Sequence, residues 1–512
     1  MEGTGMADLL VGLDVGTTAA KALLFDRQGR VLASASRGYG LITSQPGWVE
    51  QDAEEIWRAV VETLWSLSRA CGPQDRIAAL SQSSQGGTTI PVDGQCRPLH
   101  PAFSWMDQRA NEEAAAVEAR WGAEFIRTTT GWALFGGLPL QHIAWFRHRC
   151  PAEFAATRRF LFVNDFIGSR LTGQICMNPS DASITQLMSL ATGDWDPRLL
   201  ETAGIHRDRL SPIRPSGTAI GTLTPEAADA TGLPRETLVV NGAHDQYCAA
   251  VGTGVTRPGR MLLSCGTAWV PLVVPPSLEL GLASGMAVSR HAVEDQWGAI
   301  RSLGGVGSSM EWLVDNTCGT PSSEGGRTST GAEREQIYAA LSEAAARIPP
   351  GTDGLLFLPL AGGHYAGFGP TCGGFVNLSL GHSRGHLARA VMEGAVFELR
   401  WAVEEMRATG VEVDELTMVG GAAKSSLWPQ IVTDVLGVPV TLPAVKDAAA
   451  RGAAILAGAG IGIYPDAEAG FAAWCGDEAC LRPQPSHRFA LDQAYARYRT
   501  LAQTLAVRPE AV

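Results

Sequence analysis

Positive charge is what this 512-residue chain is short of: 40 Lys and Arg face 52 Asp and Glu, for a net charge of −12. That balance argues against nucleic acid or an anionic membrane as the main partner, although local donors or a bound cation can still receive a small anion. Paired cysteines are missing too. The ten cysteines stand at irregular intervals without a Cys-x-x-Cys pair, which disfavours a disulfide frame or a zinc site and fits reduced thiols in the cytosol. No apolar run approaches the ~20 residues of a membrane span, and "MEGTGMADLL" has neither the basic start nor the apolar core of a signal peptide. The expected compartment is the cytoplasm. What the chain does have is apolar material, 45% of its residues, ample for buried cores in about two to four domains.

The N-terminal stretch reads as a strand meander. "LLVGLDV", "AAKALLFD" and "VLASASRG" are joined by "GTT" and "RQGR". "DAEEIWRAVVETLWSLSRA" then puts Ile56, Val60, Leu64 and Leu67 on one helical face, the spacing of a helix laid on a sheet. "IAALSQSS" and "GTTIPVD" follow as strands, and "NEEAAAVEARWG" as a helix, an α/β alternation. Past residue 250 the opening pattern returns: "GRMLLSCGTAWVPLVV" is again strand, Gly-Thr turn, strand. Strands at "GLLFLPL" and "ELTMVGG" and helices at "HLARAVMEGAVFELRWAVEEMRA" and "SLWPQIVTDVLG" complete a second copy of a βββαβα-like unit. Chance likeness between two common hairpins is the alternative. The polar segment 318–335 reads as a surface loop.

A hairpin tip of glycine and hydroxyl residues can aim several N–H and Oγ donors at one point, which suits a phosphate. Gly16, Thr17 and Thr18 form such a tip, Lys21 follows within reach of a terminal phosphate, and Asp14 is placed to hold Mg²⁺. Gly266 and Thr267 offer similar donors. In "MVGGAAKSS" a strand runs into Gly420, Gly421 and Ala422, where an adenine or ribose could lie against the backbone ahead of a helix N-terminus, with Ser425 beside it. Each turn alone is only a turn; three in this order are far more specific.

With these blocks the chain resembles the FGGY carbohydrate kinases nearly end to end, through "GLDVGTTAAKALLFD", "PGWVEQDAEEIW", "SWMDQR", "NGAHDQYCAAVGTG", "SCGTAW", "GHLARAVMEGAVFELR" and "MVGGAAKSSLWPQIVTDVLGVPV". The resemblance implies an actin-like/hexokinase-like ATPase fold, with two duplicated domains, 1–250 and 251–512, around a cleft that closes on ligands. It implies ATP and Mg²⁺ as cofactors, a small sugar or polyol as substrate and, as in many members, a homodimer. Asp245 in "GAHDQY" matches the family's general base; an aspartate capping the helix that follows is the competing reading. His244 and Gln246 flank Asp245 and are expected to touch the sugar, with a structural role for a helix-start histidine as the competing reading.

The segment that carries sugar-binding residues in the family reads Gln85-Gly86-Gly87-Thr88, where xylulose kinases have Gln-Met-His-Gly and glycerol kinases Gln-Arg-Glu-Thr. Gln85 is kept, and the two glycines are expected to open space, so that a compact triol would be held poorly. Trp105, Asp107 and Arg109 match a Trp-x-Asp-x-Arg run; Asp107 and Arg109 either line the sugar site or form a structural ion pair. Segment 362–377 departs from the family's charged pattern, with Asn377 at a usual glycine, and His142 replaces a common lysine. The expected activity is ATP-dependent phosphorylation of a ketose or polyol, most like xylulose kinases. A same-fold kinase for another sugar, or a nucleotide-binding sugar sensor without kinase activity, is the alternative.

Overall fold

In the computed structural model residues 7–72, 75–318, 320–321, 327–328, 331–360, 373–476 and 478–506 are described. They fall into two compact units. The first comprises residues 1–257, 274–299 and 447–476, and the second 258–273, 300–446 and 477–512.

The first unit is built on a sheet of β1 (Ala7–Val15), β2 (Ala19–Phe25), β3 (Val31–Gly38), β4 (Asp75–Ser84), β5 (Ala219–Thr222) and β6 (Leu238–His244), in the order β5-β6-β4-β1-β2-β3. β1 is apolar on both faces because both are covered. Leu9, Val11, Leu13 and Val15 join one core with Ile56, Val60, Leu64 and Leu67 of helix α1 (Ala53–Ser68). On the opposite face lies the helix Ala448–Gly460, whose backbone comes so close that a Cβ on Gly12 would stand 1.8 Å from the Ala450 carbonyl oxygen. That docking is why 447–476 belongs with the N-terminal unit, where one boundary after residue 250 had been expected. Two short helices frame the end of the sheet: α2 (Pro179–Ile184), and α3 (Asp245–Gly252) directly after β6.

In the second unit β7 (Gly259–Cys265), β8 (Trp269–Val273), β9 (Val413–Gly420), β10 (Val440–Leu442) and β11 (Ala479–Leu481) run in the order β8-β7-β9-β10-β11. The neighbouring pairs are antiparallel, parallel, parallel and antiparallel. In the first unit β2-β1-β4-β6-β5 shows the same succession of senses. The repeat is therefore of whole sheets and not of two hairpins that happen to look alike. Helices α4 (Val306–Thr317), α5 (Arg384–Ala408) and α6 (Trp428–Leu436) complete this unit's frame.

The surface loop expected over 318–335 ends sooner, because a helix occupies Gly331–Ala346; residues 319, 322–326 and 329–330 lie outside the described set. Of the divergent segment 362–377, residues through 372 also lie outside it. Asn377 sits at φ 66°, with its side-chain amide donating to the Gly354 carbonyl at 3.1 Å. This is the left-handed region that asparagine tolerates where glycine is usual.

Candidate active site

Parallel strands leave their carboxyl ends side by side, and open α/β sheets bind ligands there. In the first unit β1, β4 and β6 end in register: Asp14 pairs with Ser83, Val15 and His244 both with Ser84. Lys21 stands directly across from Asp14 on the antiparallel neighbour β2. The Ser83 hydroxyl donates to Asp14 Oδ1 at 2.7 Å, and Lys21 Nζ is ion-paired with Asp447, the residue that opens helix Ala448–Gly460. Burial, and then the charges of Asp245 and Asp447, push the Asp14 carboxyl up to about 7, against the opposing pull of Ser83 and Lys21. Asp14, Lys21, Asp245 and Asp447 thus form one electrostatic group.

That group carries three carboxylates and one ammonium. The excess of acid fits a divalent cation at Asp14. Among the described residues no three His, Cys, Asp or Glu side chains converge to hold a metal by themselves. An ion bound here would depend on one or two carboxylates completed by water and phosphate oxygens, as Mg²⁺ commonly does.

The β1–β2 tip is tied by side chains to the segment that follows β4. Gly16 N–H donates to the Ala19 carbonyl at 3.0 Å to close the turn. The Thr17 carbonyl accepts from Gln51 Nε2 at 2.7 Å, and Gln85 Nε2 donates to Gln51 Oε1 at 2.9 Å. Thr17 Oγ1 accepts from the indole of Trp105 at 3.1 Å, and Thr18 is exposed at the tip.

Asp245 is the first residue of α3, and 33% of its side chain is exposed. The capping bond belongs to its neighbour. His244 Nδ1 accepts the Gln246 N–H at 3.3 Å, and the His244 N–H donates to Ser180 Oγ at 3.0 Å. The competing reading, in which Asp245 caps the helix, loses its basis because that position is filled. His244 is buried, and burial lowers its pKa against the opposing charge of Asp245. Nearby Asp181 is buried on α2, with its carboxyl held well above the ordinary range chiefly by burial and further by Asp245 and Asp165; Asn178 Nδ2 donates to it at 2.7 Å.

The remaining expected sugar residues divide. Gln85, Gly86 and Gly87 lie just beyond β4, and Gln246 is half-buried on α3. The glycines do not open the space expected of them. A Cβ on Gly86 would lie 2.3 Å from His244 Cδ2 and 2.8 Å from its Nε2, so the imidazole already fills that room; at Gly87 the Trp105 Cβ is 3.2 Å away. Asp107 and Arg109 take the second of their alternatives. Arg109 is 1% exposed, its Nη2 reaches Asp107 at 2.7 Å and Glu50 at 2.8 Å, and its guanidinium stacks 3.7 Å over Trp48. Asp107 also accepts the Val49 N–H at 2.7 Å. Sealed from solvent, this pair is scaffold. His142 is buried against it, its Nε2 3.3 Å from the Asp107 carbonyl, with its pKa lowered to about 4 by burial.

In the second unit β7 and β9 run parallel, with Cys265 beside Gly420. Two turns therefore emerge together: Gly266-Thr267, closed by Gly266 N–H to the Ala268 carbonyl at 3.1 Å, and Gly420-Gly421-Ala422, where Gly421 N–H donates to the Cys265 carbonyl at 2.8 Å. Ser425 is occupied elsewhere, its Oγ accepting from Leu427 and Trp428 N–H at 3.2 and 3.1 Å at the start of α6. The same oxygen lies 3.0 Å from Ser342 Oγ.

Sequence reading passed over Gln51, Ser83, Asp181 and Asp447. Ser83 and Gln51 are polar residues buried in their strands, each at 0% exposure, and a polar residue within a strand was the available signal. Asp447 gave only an acid ahead of an Ala-rich stretch.

Residues 9–252 match the N-terminal domain of the FGGY family of carbohydrate kinases, and residues 262–461 match its C-terminal domain. The chain is 28% identical over 506 residues to an autoinducer-2 kinase of Enterobacter sp. (strain 638), covering 96% of this chain and 93% of that one. It is 28% identical over 458 residues to a gluconokinase of Bacillus subtilis (strain 168), covering 88% and 87%. The solved xylulose kinase of Rhodospirillum rubrum superposes with a TM-score of 0.85 at 28% identity, over 97% of this chain and 99% of that one.

Proposed function

The chain belongs to the FGGY family of carbohydrate kinases, and from that premise we propose that it phosphorylates a hydroxyl of a ketose or polyol with ATP, using Asp245 as general base. The observation that carries the reading is the electrostatic group of Asp14, Lys21, Asp245 and Asp447 at the carboxyl ends of β1, β4 and β6, where Asp245 heads α3 while His244 does the capping.

Phosphoryl transfer is mainly alignment and charge neutralisation. In this reading the sugar lies along Gln85, Gly87 and Trp105, and Asp245 takes the proton of the attacking hydroxyl as its oxygen bonds to the γ-phosphorus and the bond to the ADP oxygen breaks. The Gly16–Thr18 tip and Lys21 receive phosphate oxygens, and the second unit's Gly266-Thr267 and Gly420–Ala422 turns bind nucleotide. Lys21 and Asp447, 38% and 34% exposed, can exchange their mutual contact for ligand. Magnesium bound with the nucleotide would neutralise phosphoryl charge, and Asp14 is the residue to hold it. Asp14 stands on β1, which is paired with β2 on one side and β4 on the other.

The test is ADP release by the purified chain over a panel of pentuloses, hexuloses, pentitols and aldonic acids. Sugar-dependent turnover supports the kinase reading. Nucleotide binding with no sugar-stimulated ADP release across the panel removes it and favours a sensor.

A further inference from the structure

The two glycines that replace family side chains at 86 and 87 leave no void, because His244 reaches in from another strand. A Cβ at Gly86 would meet the imidazole at Cδ2 (2.3 Å) and Nε2 (2.8 Å), so residue 86 must be glycine for this ring to lie as it does. Ile184 of α2 forms the other wall, its Cγ2 3.1 Å from the same point. The ring's chemistry follows from its other nitrogen. Nδ1 lies 3.3 Å from the Gln246 nitrogen and 3.3 Å from Asp245 Oδ1, so its bonds are local and Nε2 is the nitrogen turned toward Gly86. A ring nitrogen able to hydrogen-bond a hydroxyl thus stands beside Gly86, one residue before the proposed base.

We propose that His244 is a specificity-determining residue of the sugar site, hydrogen-bonding through Nε2 to a second hydroxyl of a neutral ketose or polyol and replacing from β6 the contact that the chain gave up at Gly86. This rests on the reading of Asp245 as base with the sugar beside Gln85. The class is neutral because the cations on this side have other work: Lys21 receives phosphate in the proposed reading, and Arg109 is held by Asp107 and Glu50. An imidazole nitrogen matches a hydroxyl, and a sugar carboxylate would find no free cation among these. A site built to hydrogen-bond a hydroxyl rejects analogues lacking it strongly, whereas an open apolar site does not.

His244→Asn separates the two jobs of this side chain. Asparagine is a good N-cap and keeps the bond to Gln246 N–H, but it is too short to fill the room over Gly86. Sugar binding by calorimetry is measured on wild type, His244→Asn, Gly86→Ala and the double variant, alongside steady-state kinetics and thermal melting. For His244→Asn the dissociation constant and KM for the best neutral sugar should rise about 10- to 100-fold, the scale of a lost hydrogen bond in a polar site. KM for ATP should stay within about twofold, since the ring touches none of the phosphate turns. Gly86→Ala, which must push the ring aside, should lose a similar factor. The double variant should lose little more than either, because both remove one interaction.

Wild-type sugar affinity in His244→Asn overturns the proposal. So do additive losses in the double variant, equal rises in both KM values together with a lowered melting temperature, or tighter binding of aldonic acids than of neutral sugars by wild type. Sugar binding without turnover by wild type overturns the kinase reading alone, and the binding measurements still decide this one. If wild type binds no sugar in the panel, both readings fall.

Discussion

The two Gly-Thr hairpins of this chain are built to one plan and equipped differently. β1–β2 turns through Gly16-Thr17-Thr18-Ala19, and β7–β8 through the shorter Gly266-Thr267-Ala268; each is closed by a bond from the glycine N–H to the carbonyl of the last of these residues. Each opening strand pairs with a parallel neighbour whose end carries a second loop. At the position before the final strand residue, the first hairpin has Asp14 facing Lys21, and the second has Ser264 facing Val270. Backbone donors are thus common to both, while ionisable side chains belong to one. The difference teaches that the fold repeats the backbone of the turn, while the ionisable side chains at the strand end were placed in the first unit's hairpin only.

If that division holds, loss of turnover should come from the first unit's carboxylates, and changes in the second unit's turns should act on nucleotide affinity alone. The largest effect is expected from Asp245→Ala, with kcat down about 10²- to 10⁴-fold while ATP binding and folding persist. A folded variant with near-normal turnover would break the comparison at its centre.

Asp14→Asn should cut turnover about 10²-fold by weakening the cation's hold, and should also stabilise the ligand-free protein. Folding raises this carboxyl from its ordinary 3.8 to about 7. The unfolded chain releases that proton at lower pH than the folded one, so the wild type loses stability as pH climbs from about 4 to about 7, and the asparagine variant escapes this part of the loss. In chelator-containing buffer the variant's melting temperature should exceed the wild type's by a margin that grows over this window and then levels. Asp165, also raised to about 7, and Asp181 titrate in both proteins and cancel in the difference. A margin that shrinks with rising pH would show the sign to be wrong.

A Thr267→Ala, Gly421→Ala double variant should raise KM for ATP about tenfold with kcat changed little, each change removing or crowding donors in the second unit. Alanine is sterically admissible at 421, where a Cβ would lie 3.6 Å from the Cys265 carbonyl oxygen. Wild-type ATP affinity would remove the phosphate role of both turns. Smallest of all, Trp105→Phe deletes the indole bond to Thr17 and should raise the sugar KM about two- to threefold, the worth of one half-exposed hydrogen bond; no change would separate the sugar segment from the hairpin.

Elements that faced one core and were bounded by glycine could be read from sequence: β1, β2, β3 and β4, α1 with its Ile56–Leu67 stripe, and the β7–β8 pair. Helix Ala448–Gly460 could not, because from Ala450 to Gly458 it is buried on every side and shows no amphipathic stripe. The short strands β5, β10 and β11, three or four residues each, exist through pairing and carry too few residues for a period. Of the candidate site, Asp14, Lys21 and Asp245 were singled out from their turns and from family likeness. The burial of Arg109 under Trp48 and the filling of Gly86 by His244 were not, since each depends on a side chain contributed by another strand or loop.

The sequence by itself determined the order of the parts: two Gly-Thr hairpins, a late Gly-Gly turn, and an acid opening a helix, which local periodicity and turn chemistry specify without reference to distant residues. Only the tertiary structure decided which groups meet. Lys21 and Asp447 are 426 residues apart, and it is the parallel register of β1, β4 and β6, with one helix laid across Gly12, that gathers Asp14, Asp245, His244 and Asp447 at a single sheet end. Register is a property of paired strands, and no stretch of one strand contains it.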